Sequence, residues 1–262
     1  MVTAAVGAPI LLLVLYLGDW VYGLAIGLLA VTAGIEALRL VGLGTRRGFV
    51  YGGALALALW QWAVAFRSGD PAFALAVVNL SLLGLVVHQV LTHPRTPTRD
   101  TALAWLALAY VAVTFGHFPA LRALPQGLRF TVTTFVYVWV FDTTAYLVGI
   151  RWGRRRLAPR LSPGKSVEGA VAGSLAVLAV ALIPGALFPS FLALRLGIGA
   201  AVIIFGQIGD LFESSLKRFA EVKDSSRLLP GHGGILDRFD SLMLAVPAVY
   251  YLLRLWLGTV GL

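Results

Sequence analysis

Asp210 is followed by Glu213, Ser214 and Lys217 at offsets of three, four and seven residues, a spacing that sets all four on one face of a helix. The pattern returns at Asp237, Asp240 and Ser241. Hard dications such as Mg²⁺ take one or two carboxylates and complete their shell with water and phosphate oxygens. Two helix ends presenting Asp210 and Asp237 to one pocket would meet that need, with Asp142 and Asp240 as further carboxylates. The competing use of these acids is an internal ion pair, such as Asp210 with Lys217. Between the two acidic stretches lies P-G-H-G-G, ending at Gly234. Gly231, Gly233 and Gly234 admit positive φ and a close backbone approach, so successive N–H groups can cup an anion. Lys223, Arg227, His232 and Arg238 flank that turn. A second ionic connection contains S-P-G-K-S-V-E-G, where Ser162, Lys165, Ser166 and Glu168 could meet phosphate, although the Walker spacing is absent.

The elements that must carry these residues are apolar. The chain is 59% hydrophobic and 13% charged over 262 residues, which excludes an ordinary soluble domain. A span needs about 20 apolar residues. Nine segments are expected to be all-α and membrane-crossing: 4–17, 20–38, 49–66, 71–91, 101–119, 130–150, 168–188, 191–213 and 239–257. The first is short, so eight spans are the alternative count. Residues 1–129 form an N-terminal set of transmembrane helices and 130–262 a C-terminal catalytic region. The first segment lacks a basic leader and a cleavage site, so it reads as a retained span. The connections 39–47, 95–99, 151–165 and 217–238 hold 16 of the 21 Lys and Arg. The positive-inside rule places them, and the N-terminus, in the cytoplasm. The basic residues alternate with spans and form no stripe, which favours an anionic inner leaflet over nucleic acid.

Charge placement narrows the chemistry. An ion near the bilayer centre costs about 2.5–3.5 kcal/mol on insertion scales, yet eight of the 12 acids lie between Asp142 and Asp240. Asp142 interrupts V-Y-V-W-V-F-D-T-T-A-Y and needs a polar cavity. All three lysines, Lys165, Lys217 and Lys223, fall in the two ionic connections, whereas the 18 Arg are spread along the chain. Glu36 has Arg39 three residues on, a helical neighbour for a structural ion pair. His88, His93 and His117 sit near span ends and read as interfacial or internally satisfied. With no cysteine, disulfides and thiolate chemistry are excluded.

At these residues the chain resembles the phosphatidate cytidylyltransferase (CDP-diacylglycerol synthase) family. The likeness is carried by Ser214, Leu216, Lys217-Arg218, Lys223-Asp224, Ser226, Leu229-Pro230, His232-Gly233-Gly234-Ile235 and Asp237-Arg238-Phe239-Asp240. Asp142-Thr143, Ala145-Tyr146 and the Ser162–Gly169 block add to it; Gly164-Lys165-Ser166 stands where the family usually has Lys-Lys-Thr. The resemblance implies a polytopic enzyme converting CTP and phosphatidate to CDP-diacylglycerol and pyrophosphate. It implies Mg²⁺ at Asp210 and Asp237, a second cation such as K⁺, and a homodimer in the inner membrane with its active site facing the cytoplasm. On that reading Lys217, Arg218, Lys223, Asp224, His232, Asp237 and Arg238 are the catalytic set. Ser162, Lys165, Ser166, Glu168, Ser214, Gly233 and Gly234 bind substrate or phosphate. The attacking phosphate is already ionised near neutral pH, so His232 is expected to donate to phosphate or shape the turn instead of acting as a base. Rival readings are a CTP-dependent enzyme for another lipid phosphate or polyprenol, and a secondary transporter of an anionic solute. The transporter predicts inverted repeats with paired broken helices, and none is visible.

Overall fold

The computed structural model describes residues 2–66, 71–185, 188–226, 228 and 233–260. Among the described residues ten α-helices dominate: α1 Val2–Leu17, α2 Asp19–Leu40, α3 Arg47–Phe66, α4 Pro71–Thr92, α5 Thr98–Arg122, α6 Gly127–Trp152, α7 Val167–Leu182, α8 Leu192–Ala201, α9 Gln207–Phe219 and α10 Leu236–Val260. Each apolar segment read from the sequence overlaps a helix, although 168–188 runs past the end of α7 at Leu182 and includes two residues outside the described ones. Among the described residues, six helical stretches are long and apolar enough to cross a membrane: Trp20–Leu40, Arg47–Ala65, Thr98–Arg122, Gly127–Trp152, Leu192–Phe219 and Leu236–Gly258. Asn79–Thr92 and Val167–Leu182 are apolar but shorter, and α1 has 16 residues. The protein is therefore helical, polytopic and integral to a membrane.

The chain folds into two compact units, one of residues 1–120 and 219–238, the other of residues 121–218 and 239–262. In the first unit, α2 buries Tyr22, Ile26, Ala30, Ala33 and Ala37 along one stripe. Its opposite stripe exposes Trp20, Leu24 and Leu28. A helix apolar on both stripes has protein on one side and lipid on the other. The α3 helix packs on α2, and Trp60 Nε1 donates to the Ala112 carbonyl of α5 at 2.7 Å. That bond satisfies an indole N–H which would otherwise be stranded in an apolar interior.

In the second unit α6 and α7 pack along their length. Gly169 makes the approach close, because a β-carbon there would meet the Ala145 carbonyl at 2.5 Å. The buried Arg195 of α8 donates to the carbonyls of Ala181, Pro189 and Ser190, closing the turn after α7. Two departures from the sequence expectation fall here. The connection 151–165 is not loop throughout: β1 Arg156–Ala158 pairs antiparallel with β2 Ser162–Ser166. Among the described residues the otherwise helical chain thus carries one hairpin, its two short strands flanking a tight turn outside the helices. The eighth apolar segment also runs on past Glu213 to Phe219, and α8 joins α9 through a π-helical turn at Val202–Gly206. A π turn widens the helix and rotates the face that follows, here the face bearing Asp210.

Candidate functional site

Helix α9 gathers its polar groups on the face that the spacing indicated. Glu213 and Ser214 are buried, and Ser214 Oγ lies 3.4 Å from Asp210 Oδ1 as its donor. Lys217 pairs with Glu213 one turn back. Asp210 does not take Lys217 as partner; its ammonium is Lys165 of β2. The internal ion pair weighed against metal binding is Asp210 with Lys217; the ion pairs seen are Asp210 with Lys165, brought by the hairpin, and Glu213 with Lys217 at i+4. Asp240, in the first turns of α10, interacts electrostatically with Asp210, Asp142 and Glu213. Four carboxylates and two ammonium groups of the second unit therefore form one electrostatic cluster. Asp142 is exposed on α6.

The hairpin is fastened to this cluster at several points. Beside the Lys165–Asp210 pair, Arg218 Nε donates to the Leu161 carbonyl at 3.3 Å. Glu168 accepts from the backbone N–H groups of Arg154 and Arg155 at 3.0–3.2 Å. Ser166 is the N-cap of α7, its Oγ accepting from Gly169 N at 3.1 Å; the hydroxyl satisfies one of the orphan donors of a helix start. Ser166 and Glu168, both read as phosphate-binding, are thus seen shaping the loop, while Lys165 presents its ammonium. Ser162 pairs with Ala158 at the far end of the hairpin.

In the first unit another pair of acids organises the connection to α10. Asp237 Oδ2 accepts from Gly234 N at 2.8 Å, Ser225 N at 2.8 Å and Ser225 Oγ at 2.7 Å. The Gly234–Asp237 bond has the form of a capping box, in which the side chain three residues into a helix returns to the N–H at its start. Glu36 of α2 is 2% exposed and accepts from Ser226 Oγ, Ser225 Oγ, Ile235 N and Leu236 N at 2.6, 3.1, 3.1 and 2.9 Å. The expected Glu36–Arg39 ion pair is not formed. Four donors converge on Glu36, and Arg39 is exposed. Gly233 holds φ +76°, and a β-carbon on Gly234 would collide with Ser225 Oγ and both Glu36 oxygens. Glycine is needed there so that the carboxylate can reach the backbone.

Lys223, Asp224 and Arg238 are exposed. Asp224 lines a cavity of about 310 Å³ with Arg39, Gly42, Phe219, Val222 and Ser225. His232 and Arg227 lie outside the described residues. His117 Nδ1 lies 2.6 Å from the Val113 carbonyl, internally satisfied as expected, whereas His88 packs on Phe49 with its buried Nδ1 unpaired among the described residues. Among the described residues no three His, Asp or Glu side chains converge as a ready-made metal cage. Mg²⁺ does not require one, since it binds through one or two carboxylates plus substrate phosphates. The Asp142, Asp210, Glu213 and Asp240 group fits such a cation by charge and by its oxygen-only donors.

The sequence of residues 1–256 matches the model described as the cytidylyltransferase family. Among similar curated proteins, the phosphatidate cytidylyltransferase of Bacillus subtilis is 37% identical over 207 residues, covering 76% of this chain and 77% of its own. That of Staphylococcus haemolyticus is 38% identical over 203 residues, with coverage of 76% and 77%.

Proposed function

This chain belongs to the cytidylyltransferase family, and we propose on that premise that it is a phosphatidate cytidylyltransferase. It converts CTP and phosphatidate to CDP-diacylglycerol and pyrophosphate, a nucleotidyl transfer that feeds phospholipid synthesis. One observation supports this beyond the family: carboxylates on α6, α9 and α10 and lysines on β2 and α9 share one electrostatic cluster, a donor set suited to metal and phosphate together.

In the reaction a phosphate oxygen of phosphatidate forms a bond to the α-phosphorus of CTP. The bond from that phosphorus to the bridging oxygen breaks, and pyrophosphate leaves with the electron pair. Both reactants are polyanions, so positioning and charge neutralisation supply most of the acceleration. Asp210 and Asp237 would hold Mg²⁺, with Asp142 and Asp240 as further carboxylates; bound there, the ion would act as Lewis acid and template for phosphate oxygens. Lys165 and Lys217 bring compact, mobile ammonium groups that can turn from Asp210 and Glu213 toward phosphate oxygens. Arg218 and Lys223 neutralise the triphosphate, Ser162 and Ser214 offer hydroxyl donors, and Gly233 offers a backbone N–H group, while Gly234, whose N–H is given to Asp237, shapes the turn. Asp224, His232 and Arg238 complete the proposed set. K⁺ as a second cation and a homodimer belong to the same proposal. So does a plasma-membrane location with nine spans, the N-terminus inside and the site facing the cytoplasm, resting on the 16 of 21 basic residues in four connections.

Purified protein in mixed micelles with CTP, Mg²⁺ and phosphatidate should release pyrophosphate and form CDP-diacylglycerol in equal amounts. Omitting the lipid should stop pyrophosphate release, and replacing phosphatidate by a polyprenyl phosphate should lower the rate strongly. Equal rates with the polyprenyl acceptor would transfer the assignment to that lipid class.

A further inference from the structure

We propose that Glu36 is a positioning residue: a carboxylate from α2 that latches the segment leading into α10 and thereby fixes Asp237. The inference rests on the functional reading above only for what Asp237 does; the latch itself is geometric.

The donors on Glu36 come from both ends of one loop. Ser225 and Ser226 lie where the chain leaves residue 224, and Ile235 and Leu236 lie where α10 begins. Each oxygen takes one hydroxyl and one backbone N–H: Oε1 from Ser226 Oγ and Ile235 N, Oε2 from Ser225 Oγ and Leu236 N. A helix start leaves its first N–H groups without intrahelical partners, and glycine at 234 has no side chain with which to cap them. Glu36, about 200 positions away in sequence, supplies that cap, and its negative charge sits favourably at a helix N-terminus.

Ser225 connects the latch to Asp237. Its hydroxyl is 3.1 Å from Glu36 Oε2 and 2.7 Å from Asp237 Oδ2. One hydroxyl proton serves one acceptor at a time, so the two carboxylates share a single donor. The segment also carries Lys223 and Asp224 just before it and His232 within it. The hydrogen bonds of Glu36 go to Ser225, Ser226, Ile235 and Leu236, so it acts on Asp237 through the segment they share.

The amide variant isolates the claim. Glu36→Gln keeps shape, but in either orientation its NH₂ faces one backbone N–H, leaving donor against donor. Hydrogen exchange of the full-length protein in detergent should show the amides of Ile235 and Leu236 exchanging at least about tenfold faster in Glu36→Gln. Turnover should fall about 10- to 100-fold, and the Mg²⁺ concentration for half-maximal activity should rise several-fold. Ser226→Ala should cost clearly less in the Glu36→Gln background than in wild type. A merely structural loss lowers the active fraction without moving the Mg²⁺ dependence; Phe115→Leu, in the α5 core, provides that reference. Unchanged exchange at Ile235 and Leu236 would overturn the latch. Faster exchange with unchanged Mg²⁺ dependence would overturn the positioning role. Faster exchange in a protein whose wild type makes no CDP-diacylglycerol would leave the latch standing and remove the proposed function.

Discussion

Around Glu36 and Asp237, carboxylate oxygens meet neutral donors: serine hydroxyls and the backbone N–H groups of residues 225, 234, 235 and 236. Around Asp240, the charges of Asp210, Asp142 and Glu213 act on its carboxylate, and Lys165 and Lys217 pair with Asp210 and Glu213. The first arrangement is close to saturated, because a carboxylate offers about four lone-pair sites and Glu36 has four donors in reach, one of them shared with Asp237. Like charges gathered as in the second persist where a cation or a charged substrate makes use of them. The same residue type therefore holds backbone in place in one region and gathers charge in the other.

Removing an acid should have opposite effects on stability in the two regions. In Asp240→Asn the amide keeps an acceptor for Ser241 N, now 2.6 Å from Oδ1, while one negative charge leaves the cluster. Turnover should fall by about 100-fold or more, the scale of losing one positioned electrostatic group, with a melting temperature unchanged or higher. Scanning calorimetry beside a pyrophosphate assay checks both halves. A variant that melts several degrees lower would erase the distinction between the regions.

Gly234→Ala attacks the saturated region. The added methyl collides with Ser225 Oγ and the Glu36 carboxylate, so the latch must open or the backbone must move. Overpacking of this kind costs about 1–3 kcal/mol. Melting temperature and turnover should fall together here, turnover by about tenfold, in contrast to Asp240→Asn. Retention of wild-type values in both would mean that the close approach of glycine to Glu36 is dispensable.

How far the sequence revealed these regions depended on how local each contact is. The face holding Asp210, Glu213, Ser214 and Lys217 was legible because helical periodicity acts over four to seven residues. The Lys165–Asp210 pair was not, since its members are 45 positions apart and meet through a hairpin that an apolar chain did not announce. Glu36 was misread for a related reason. Arg39 offered a partner one turn away, whereas the real donors lie 189 to 200 positions downstream. A signal existed: one acid within the apolar α2 needs several donors, and α10 begins after glycines that cannot cap it. The π turn at Val202–Gly206 left no trace, because its residues are as apolar as their neighbours.

Ser166→Ala separates loop shaping from substrate contact within the hairpin. If the hydroxyl serves only as the cap of Gly169 N, its loss costs about 1 kcal/mol of stability and leaves kcat/KM within about threefold. A tenfold rise in KM for CTP without a change in melting temperature would make Ser166 a phosphate ligand.

Asp100 sets the lower limit of the scale. It pairs with Arg46 at 3.5 Å, with side-chain exposures of 21% and 47%, and sits in the first turn of α5. Its carboxylate is neither saturated by backbone donors nor crowded by other acids. Water screens such a pair, so exposed ion pairs contribute about 0–1 kcal/mol, and the helix start adds a few tenths through its dipole. Asp100→Asn should therefore leave turnover unchanged and lower the melting temperature by about a degree at low salt, with the difference vanishing near 1 M salt as screening shortens to about 3 Å. A salt-independent loss as large as that in Gly234→Ala would show that exposure does not sort these acids, and the contrast drawn from Glu36 and Asp240 would have to rest on something other than their surroundings.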